Sequence, residues 1–219
     1  MAGKIPIFTE WFGKPKIVTD EGVAMSEEFY FMKFPNNGIG LKYLFRERLP
    51  RLNILKQSKL TDYQFIEYKA ALQILEKALY LSRIEKRHLT GKILDFGCGA
   101  GGSSIVLKLL SEDIIAIDIN LNDINTLKNS GFFPEERALN IDGFYYMTQQ
   151  PEESYDLVLA INLGELNTER RFIEEFYRES MRVVKPDGKI LIHSDLLTMD
   201  KVRDVFGVEE RPSTRTLVI

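Results

Sequence analysis

Residues 94–102 read LDFGCGAGG, four glycines in nine positions between two apolar runs. Ordering glycine costs more backbone entropy than ordering any other residue, so this density marks a place where the backbone must turn tightly or lie bare against a ligand. Gly97, Gly99 and Gly102 satisfy G-x-G-x-x-G, while Gly97, Gly99 and Gly101 satisfy G-x-G-x-G. The first spacing suits a dinucleotide, and the pattern alone leaves both readings open. Carboxylates at set places around the loop narrow the choice. Asp95, two residues before the first glycine, would repel a pyrophosphate but welcome a free α-amino group, directly or through water. Asp118 closes the next apolar run, AIDIN, where a carboxylate accepts hydrogen bonds from both hydroxyls of a ribose. Asp142, in LNIDG, follows a third run and is placed either to receive an adenine amino group or to cap a helix. Cys98 reads as a small filler whose backbone amide matters, since no neighbour in sequence would activate its thiol.

These residues need elements to hold them. From Lys92 onward short apolar runs alternate with helical patterns: KILDF, SSIVLKLL, DIIAIDI, LNDINTLKNSG, RALNI, SYDLVLAI, TERRFIEEFYRESMRVV and GKILIHS. Strands alternating with helices predict an α/β doubly wound sheet, mostly parallel, with the glycine loop at a strand's carboxyl end beside a helix N-terminus. The tail, from DKVRDVFG to RTLVI, predicts one more helix and a terminal strand pair. Before Lys92 the clearest element is a helix opening at Thr61, where T-D-Y-Q fits a capping box and Leu60 with Phe65 a hydrophobic staple. Phe65, Tyr68, Leu72, Leu75 and Leu79 recur at alternating three and four, a stripe that must be buried. The basic stretch Arg83–His88 reads as its last part, with Gly91 beyond. The first sixty residues are rich in aromatics and turn signals and predict irregular structure with short helices, one of them over 41–49. The division expected is therefore a mainly helical segment over 1–90, acting as a cap, and a sheet domain over 91–219.

Composition sets outer bounds. The 219 residues hold one cysteine and two histidines, which leaves no internal disulfide and makes a cysteine- or histidine-based metal site improbable. The start lacks the apolar run of a secretory leader, and no stretch approaches the roughly 20 apolar residues that span a bilayer, so a cytoplasmic location is expected. Residues 1–90 carry 15 Lys+Arg against 10 Asp+Glu and residues 91–219 carry 14 against 22, charges of +5 and −8. A basic, aromatic-rich half is one that a polyanion would suit, although such asymmetry is common on ordinary surfaces.

From Lys92 to Ile192 the chain resembles a class I S-adenosylmethionine-dependent methyltransferase. ILDFGCGAGG is similar to that family's first motif, with Asp95, Gly97, Gly99 and Gly101 at its acid and glycines; Asp118 matches its ribose-binding acid and Ile119 the apolar residue beside adenine. Asp142 matches the acid after the third strand, SYDLVLAINLGEL the fourth strand with its loop, and VVKPDGKILI the turn into the fifth. The resemblance implies a seven-stranded sheet and a cofactor site made of Asp95, Gly97, Cys98, Gly99, Gly101, Asp118, Ile119, Asp142, Gly143 and Asn162, with no metal. It also implies an acceptor pocket above the loop of residues 162–167, beneath the N-terminal cap. Asp156, opening the fourth strand, reads as structural.

A sulfonium methyl is already activated, so such a protein aligns the acceptor and excludes water, needing a general base only for an acceptor protonated at neutral pH. His193 and Glu165 are the candidates for acid–base or substrate-orienting roles. Tyr30, Tyr43, Arg46, Arg48 and Arg51 are candidates for the cap's inner side. The chain has NLGEL where amino-methylating DNA enzymes carry an N/D-P-P-Y-like signature, and it has no proline–cysteine pair, so a small-molecule O-, N- or C-acceptor is expected. An RNA or protein acceptor docked on the basic half and a cofactor-binding protein without turnover stand as alternatives; an aminopropyl-transferring relative would want a paired-acid signature that the loop after the fourth strand lacks, and a nicotinamide dehydrogenase is the remaining outsider.

Overall fold

The computed structural model describes residues 7–9, 16–18, 24–25, 60–80, 84–131, 133–163, 170–193 and 216–218. Helix α1 (Asp62–Tyr80) begins at the expected capping box: the Thr61 amide donates to Gln64 Oε1 at 3.0 Å and the Gln64 amide to Thr61 Oγ1 at 3.2 Å. Tyr68, Leu72 and Leu75 are buried as their spacing requires, joined by Ala71, Ile74 and Ala78. The side chains of Phe65 and Leu79 lie outside the described residues. The basic stretch is not the end of this helix. Lys86, Arg87 and His88 lie in a separate helix α2 (Lys86–Thr90) with its own capping box, in which the Glu85 amide donates to His88 Nδ1 at 2.8 Å, so His88 spends its polarity on a helix start rather than a helix end.

The sheet domain contains β4 (Ile93–Phe96), α3 (Gly102–Lys108), β5 (Ile114–Asp118), α4 (Leu121–Asn129), β6 (Ala138–Asn140), α5 (Gly143–Thr148), β7 (Tyr155–Ile161), α6 (Arg170–Val183), β8 (Val184–His193) and β9 (Thr216–Val218). Its order is β6-β5-β4-β7-β8-β9, with β9 antiparallel to β8 and every other pairing parallel. The described sheet thus has six strands, five of them parallel. The chain winds outward through β4, β5 and β6 and then returns to the other side of β4 with β7. That reversal opens a crevice at the carboxyl ends of the two central strands.

Alternate residues of the central strands feed two cores, as a period of two dictates. Ile93, Leu157 and Leu159 join α1, α3 and α4 on one face, while Leu94, Val158 and Ala160 join α5 and α6 on the other. Both faces are covered, which is why these strands read as continuous apolar runs. Although α1 precedes residue 90, it packs directly on α3 and shares the sheet's core. Asp156 is structural: it accepts the Lys92 amide at 2.8 Å and pairs with Lys185 at 2.9 Å, joining β4, β7 and β8.

The expectation of irregular structure and short helices in the first sixty residues needs correction where that segment is described. Strands β1 (Ile7–Thr9), β2 (Lys16–Val18) and β3 (Ala24–Met25) form a three-stranded antiparallel sheet in the order β1-β2-β3. Runs of two or three residues are too short for alternation to register in a sequence. The expected helix over 41–49, the cap candidates Tyr30, Tyr43, Arg46, Arg48 and Arg51, and the expected helix of the tail lie outside the described residues. No described helix is long and apolar enough to cross a membrane.

Candidate functional site

The glycine loop owes its composition to backbone geometry. Gly97, Gly99 and Gly101 have φ of 66°, 53° and 92°, the left-handed region where a side chain is strained. Gly102 is different. Its φ is ordinary for a helix, but a Cβ there would lie 2.2 Å from Glu67 Cβ and 2.6 Å from the Glu67 backbone, so its bareness lets α1 approach α3. The longer G-x-G-x-x-G spacing is therefore met for a reason of helix packing. Gln64, fully buried, completes the junction by donating from Nε2 to the Ala100 carbonyl at 2.9 Å and the Thr126 carbonyl at 3.3 Å.

A cavity of about 760 Å³ opens at the carboxyl ends of β4, β5 and β7. Of the expected residues, Gly97, Cys98, Gly99, Asp118, Ile119, Asp142, Gly143 and Asn162 border it. Asp95 and Gly101 are not in its wall. Asp95 lies beneath the loop at 1% exposure, its Oδ2 accepting from Ser103 Oγ at 2.6 Å and Ser104 Oγ at 2.5 Å. Burial, reinforced by the nearby Asp118 charge, outweighs these two hydrogen bonds and raises its pKa to about 6. Asp118 faces the cavity with both oxygens oriented, Oδ2 accepting the Gly99 amide at 2.8 Å and Oδ1 the Asn120 amide at 2.7 Å. Each oxygen keeps a lone pair for a ligand. Ile119 follows it, 74% exposed, an apolar plate at the rim.

Asp142 is a helix cap that also stands at the cavity wall: it caps α5 by accepting the Tyr145 amide at 2.8 Å. Asn162 holds φ of 57°, unusual for a residue with a side chain, and its amide donates to the His193 carbonyl at 2.7 Å. His193, the last residue of β8, is 7% exposed, stands in register with Ile161 of β7 and Thr216 of β9, and does not border the cavity. Glu165 lies outside the described residues. Cys98 is buried, and burial, with the charges of Asp95, Asp118 and Glu67 around it, pushes its thiol well above the ordinary range, so it stays protonated.

The wall also contains residues that motif spacing did not bring forward: Tyr63, Glu67, Ala70 and Ala71 from α1, Asp123 from α4, and Phe144 and Phe172 over the opposite face. A signal for the α1 group exists in hindsight. Two adjacent alanines and an i, i+4 tyrosine–glutamate pair lie on one side of a helix whose buried glutamine must find partners in another element. The aromatic side is built on Phe96, whose ring centroid is 5.5 Å from that of Phe144 and 5.0 Å from that of Phe176.

Residues 94–192 match a family described as a methyltransferase domain. Solved structures similar to the chain include an S-adenosylmethionine-dependent methyltransferase from Archaeoglobus fulgidus, 22% identical, covering 61% of this chain and 58% of that one at a TM-score of 0.46. A precorrin 8w decarboxylase from Methanobacterium thermoautotrophicum is 23% identical over 53% of this chain and 63% of that one, with a TM-score of 0.42. A phosphoethanolamine N-methyltransferase from Haemonchus contortus, in complex with phosphoethanolamine and S-adenosylhomocysteine, is 20% identical over 76% of this chain and 31% of that one, with a TM-score of 0.44. The match thus spans less than two thirds of the length of each. No curated protein matches the chain.

Proposed function

We propose that this chain, whose residues 94–192 belong to the methyltransferase-domain family and whose cofactor is S-adenosylmethionine, transfers a methyl group to an oxygen, nitrogen or carbon atom of a small-molecule acceptor. The residues present fit the cofactor. Asp118, its oxygens already aimed by the Gly99 and Asn120 amides, would accept from the ribose hydroxyls. Gly97 and Gly99 leave bare backbone for the methionyl arm, and Ile119 and Ile141 offer apolar surface to the adenine beside Asp142. When bound, S-adenosylmethionine supplies a methyl group activated on a sulfonium.

The protein's own part is then to position the acceptor and keep water away. Ile161, Leu163, Phe144 and Phe172 give the cavity an apolar side suited to that task. Cys98, held protonated, contributes wall and not a nucleophile. A small acceptor is favoured by the cavity's size, which is that of a ligand pocket. It is favoured too, over a polyanion, by the negative wall, whose four carboxylates a bound cofactor of net charge +1 would offset only in part.

The observation that carries this reading is the Asp118 carboxylate, fixed by two backbone amides at the cavity wall. Calorimetric titration tests it. S-adenosylmethionine and S-adenosylhomocysteine are expected to bind at micromolar levels, NAD not at all, and Asp118→Ala to weaken both sulfur nucleotides at least about 10-fold through loss of charge-assisted hydrogen bonds. Binding of NAD alone, or of none of the three, would overturn the cofactor assignment.

A further inference from the structure

The acid that the sequence offers to the cofactor's α-amino group is Asp95, but that carboxylate lies beneath the glycine loop with two serine hydroxyls on one oxygen. The carboxylate that does reach the cavity over the loop comes from α1. Glu67 borders the cavity, and its Oε1 would be 3.7 Å from a Cβ placed on Gly99, so it overhangs the bare glycine backbone. The Tyr63 hydroxyl and the Gly102 amide serve this carboxylate. Its Oε2 is buried with no hydrogen-bond partner; Asp95 Oδ1 is too, but Asp95 does not border the cavity. No described lysine, arginine or histidine forms an ion pair with it, while Asp123 and Asp95 add negative charge around it. A buried carboxylate oxygen without a partner is costly, and a cation that docks against it relieves the cost.

On the cofactor assignment made above, we infer that Glu67 is the anchor for the α-ammonium of the cofactor's methionyl arm. Helix α1 is then part of the cofactor site and not only a cover for it. An ammonium has three donors and no acceptor, which suits a carboxylate that borders the cavity and has one oxygen short of a partner. The same geometry explains why Gly102 must be bare: it sets α1 close enough for a glutamate side chain to reach the loop.

The test is a binding cycle, read by calorimetry, with S-adenosylhomocysteine and its desamino analogue on the wild type and on Glu67→Gln. S-adenosylhomocysteine is expected to weaken by about 10- to 100-fold in the variant, the span of a charge-assisted hydrogen bond, while the desamino analogue stays within about 2-fold. Glu67→Asp, which withdraws the carboxylate by one methylene, serves if E67Q does not fold; it should weaken S-adenosylhomocysteine by at least about 3-fold and leave the analogue unchanged. Equal weakening of both compounds, or of neither, would overturn the role of Glu67 while leaving the cofactor in place. A wild type that binds neither compound would overturn the cofactor assignment, and this inference with it.

Discussion

At the scale of single residues, acids close in sequence pattern have been given different work by burial. Asp118 and Asp142 keep one side toward the cavity, whereas Asp95 is enclosed and its ionised form is disfavoured. The consequence for stability has a definite sign. Asp95 titrates at 3.8 in the unfolded chain and at about 6 in the folded one, so between those pH values the folded state binds more protons and stability falls as pH rises. The gap corresponds to about 3 kcal/mol. Asp95→Asn removes this titration but keeps an oxygen for Ser103 and Ser104, and any cost of its unpaired amide is the same at every pH. Urea unfolding at pH 4 and pH 7 is expected to show the stability of the wild type relative to D95N falling by about 2 kcal/mol over that interval, since at pH 4 the unfolded group is already more than half ionised. Parallel profiles would show that Asp95 is not the source.

At the scale of elements, the junction of α1 with α3 decides the shape of the site. Gly102 and Gly131 separate two reasons for glycine. A methyl group at Gly102 meets Glu67 and the Tyr68 amide at 2.2–2.7 Å in an ordinary helical conformation, whereas Gly131 has open space around it and only a φ of 68° to lose. Gly131→Ala is expected to cost about 1 kcal/mol of backbone strain. Gly102→Ala should cost at least about 2–3 kcal/mol through overpacking, and it should also weaken S-adenosylhomocysteine by moving Glu67 off the loop. Chemical denaturation and calorimetry check both; equal costs, or full affinity in G102A, would contradict the packing argument. This junction also shows where the sequence is legible. The central strands and their helices can be read because burial on both faces leaves long apolar runs, and the capping box at Thr61 is local by nature. The strands β1, β2 and β3 cannot, being two or three residues long. Nor can the partnership of Glu67 with Gly102, which joins residues 35 positions apart through a contact that no periodicity announces.

At the scale of the whole molecule, the parts of the cavity that are legible beforehand are those that each lie within a single strand–loop–helix unit: the glycines after β4, Asp118 at the end of β5 and Asp142 after β6. What escapes is the wall contributed by α1, because it is tertiary packing that brings Tyr63 and Glu67 to a loop belonging to another segment. That wall changes the field of the site. Glu67, Asp118, Asp123 and Asp142 border the cavity, and none of the described bordering residues is a lysine, arginine or histidine. S-adenosylmethionine carries a net charge of +1 at neutral pH and S-adenosylhomocysteine none, so an acidic cavity should hold the substrate form more tightly and let the product go. Even one carboxylate about 4 Å away is worth about 1 kcal/mol at the dielectric of water, so the set should give a preference of at least about 5-fold. The half-exposed members of the set are screened by salt. Calorimetry at 20 mM and 500 mM sodium chloride should therefore show the preference for S-adenosylmethionine shrinking toward 1, because its affinity falls while that of S-adenosylhomocysteine stays nearly constant. A ratio that does not respond to salt, or a product that binds more tightly at low salt, would mean that the wall's charge is neutralised within the folded protein and that contacts, not field, distinguish the two nucleotides.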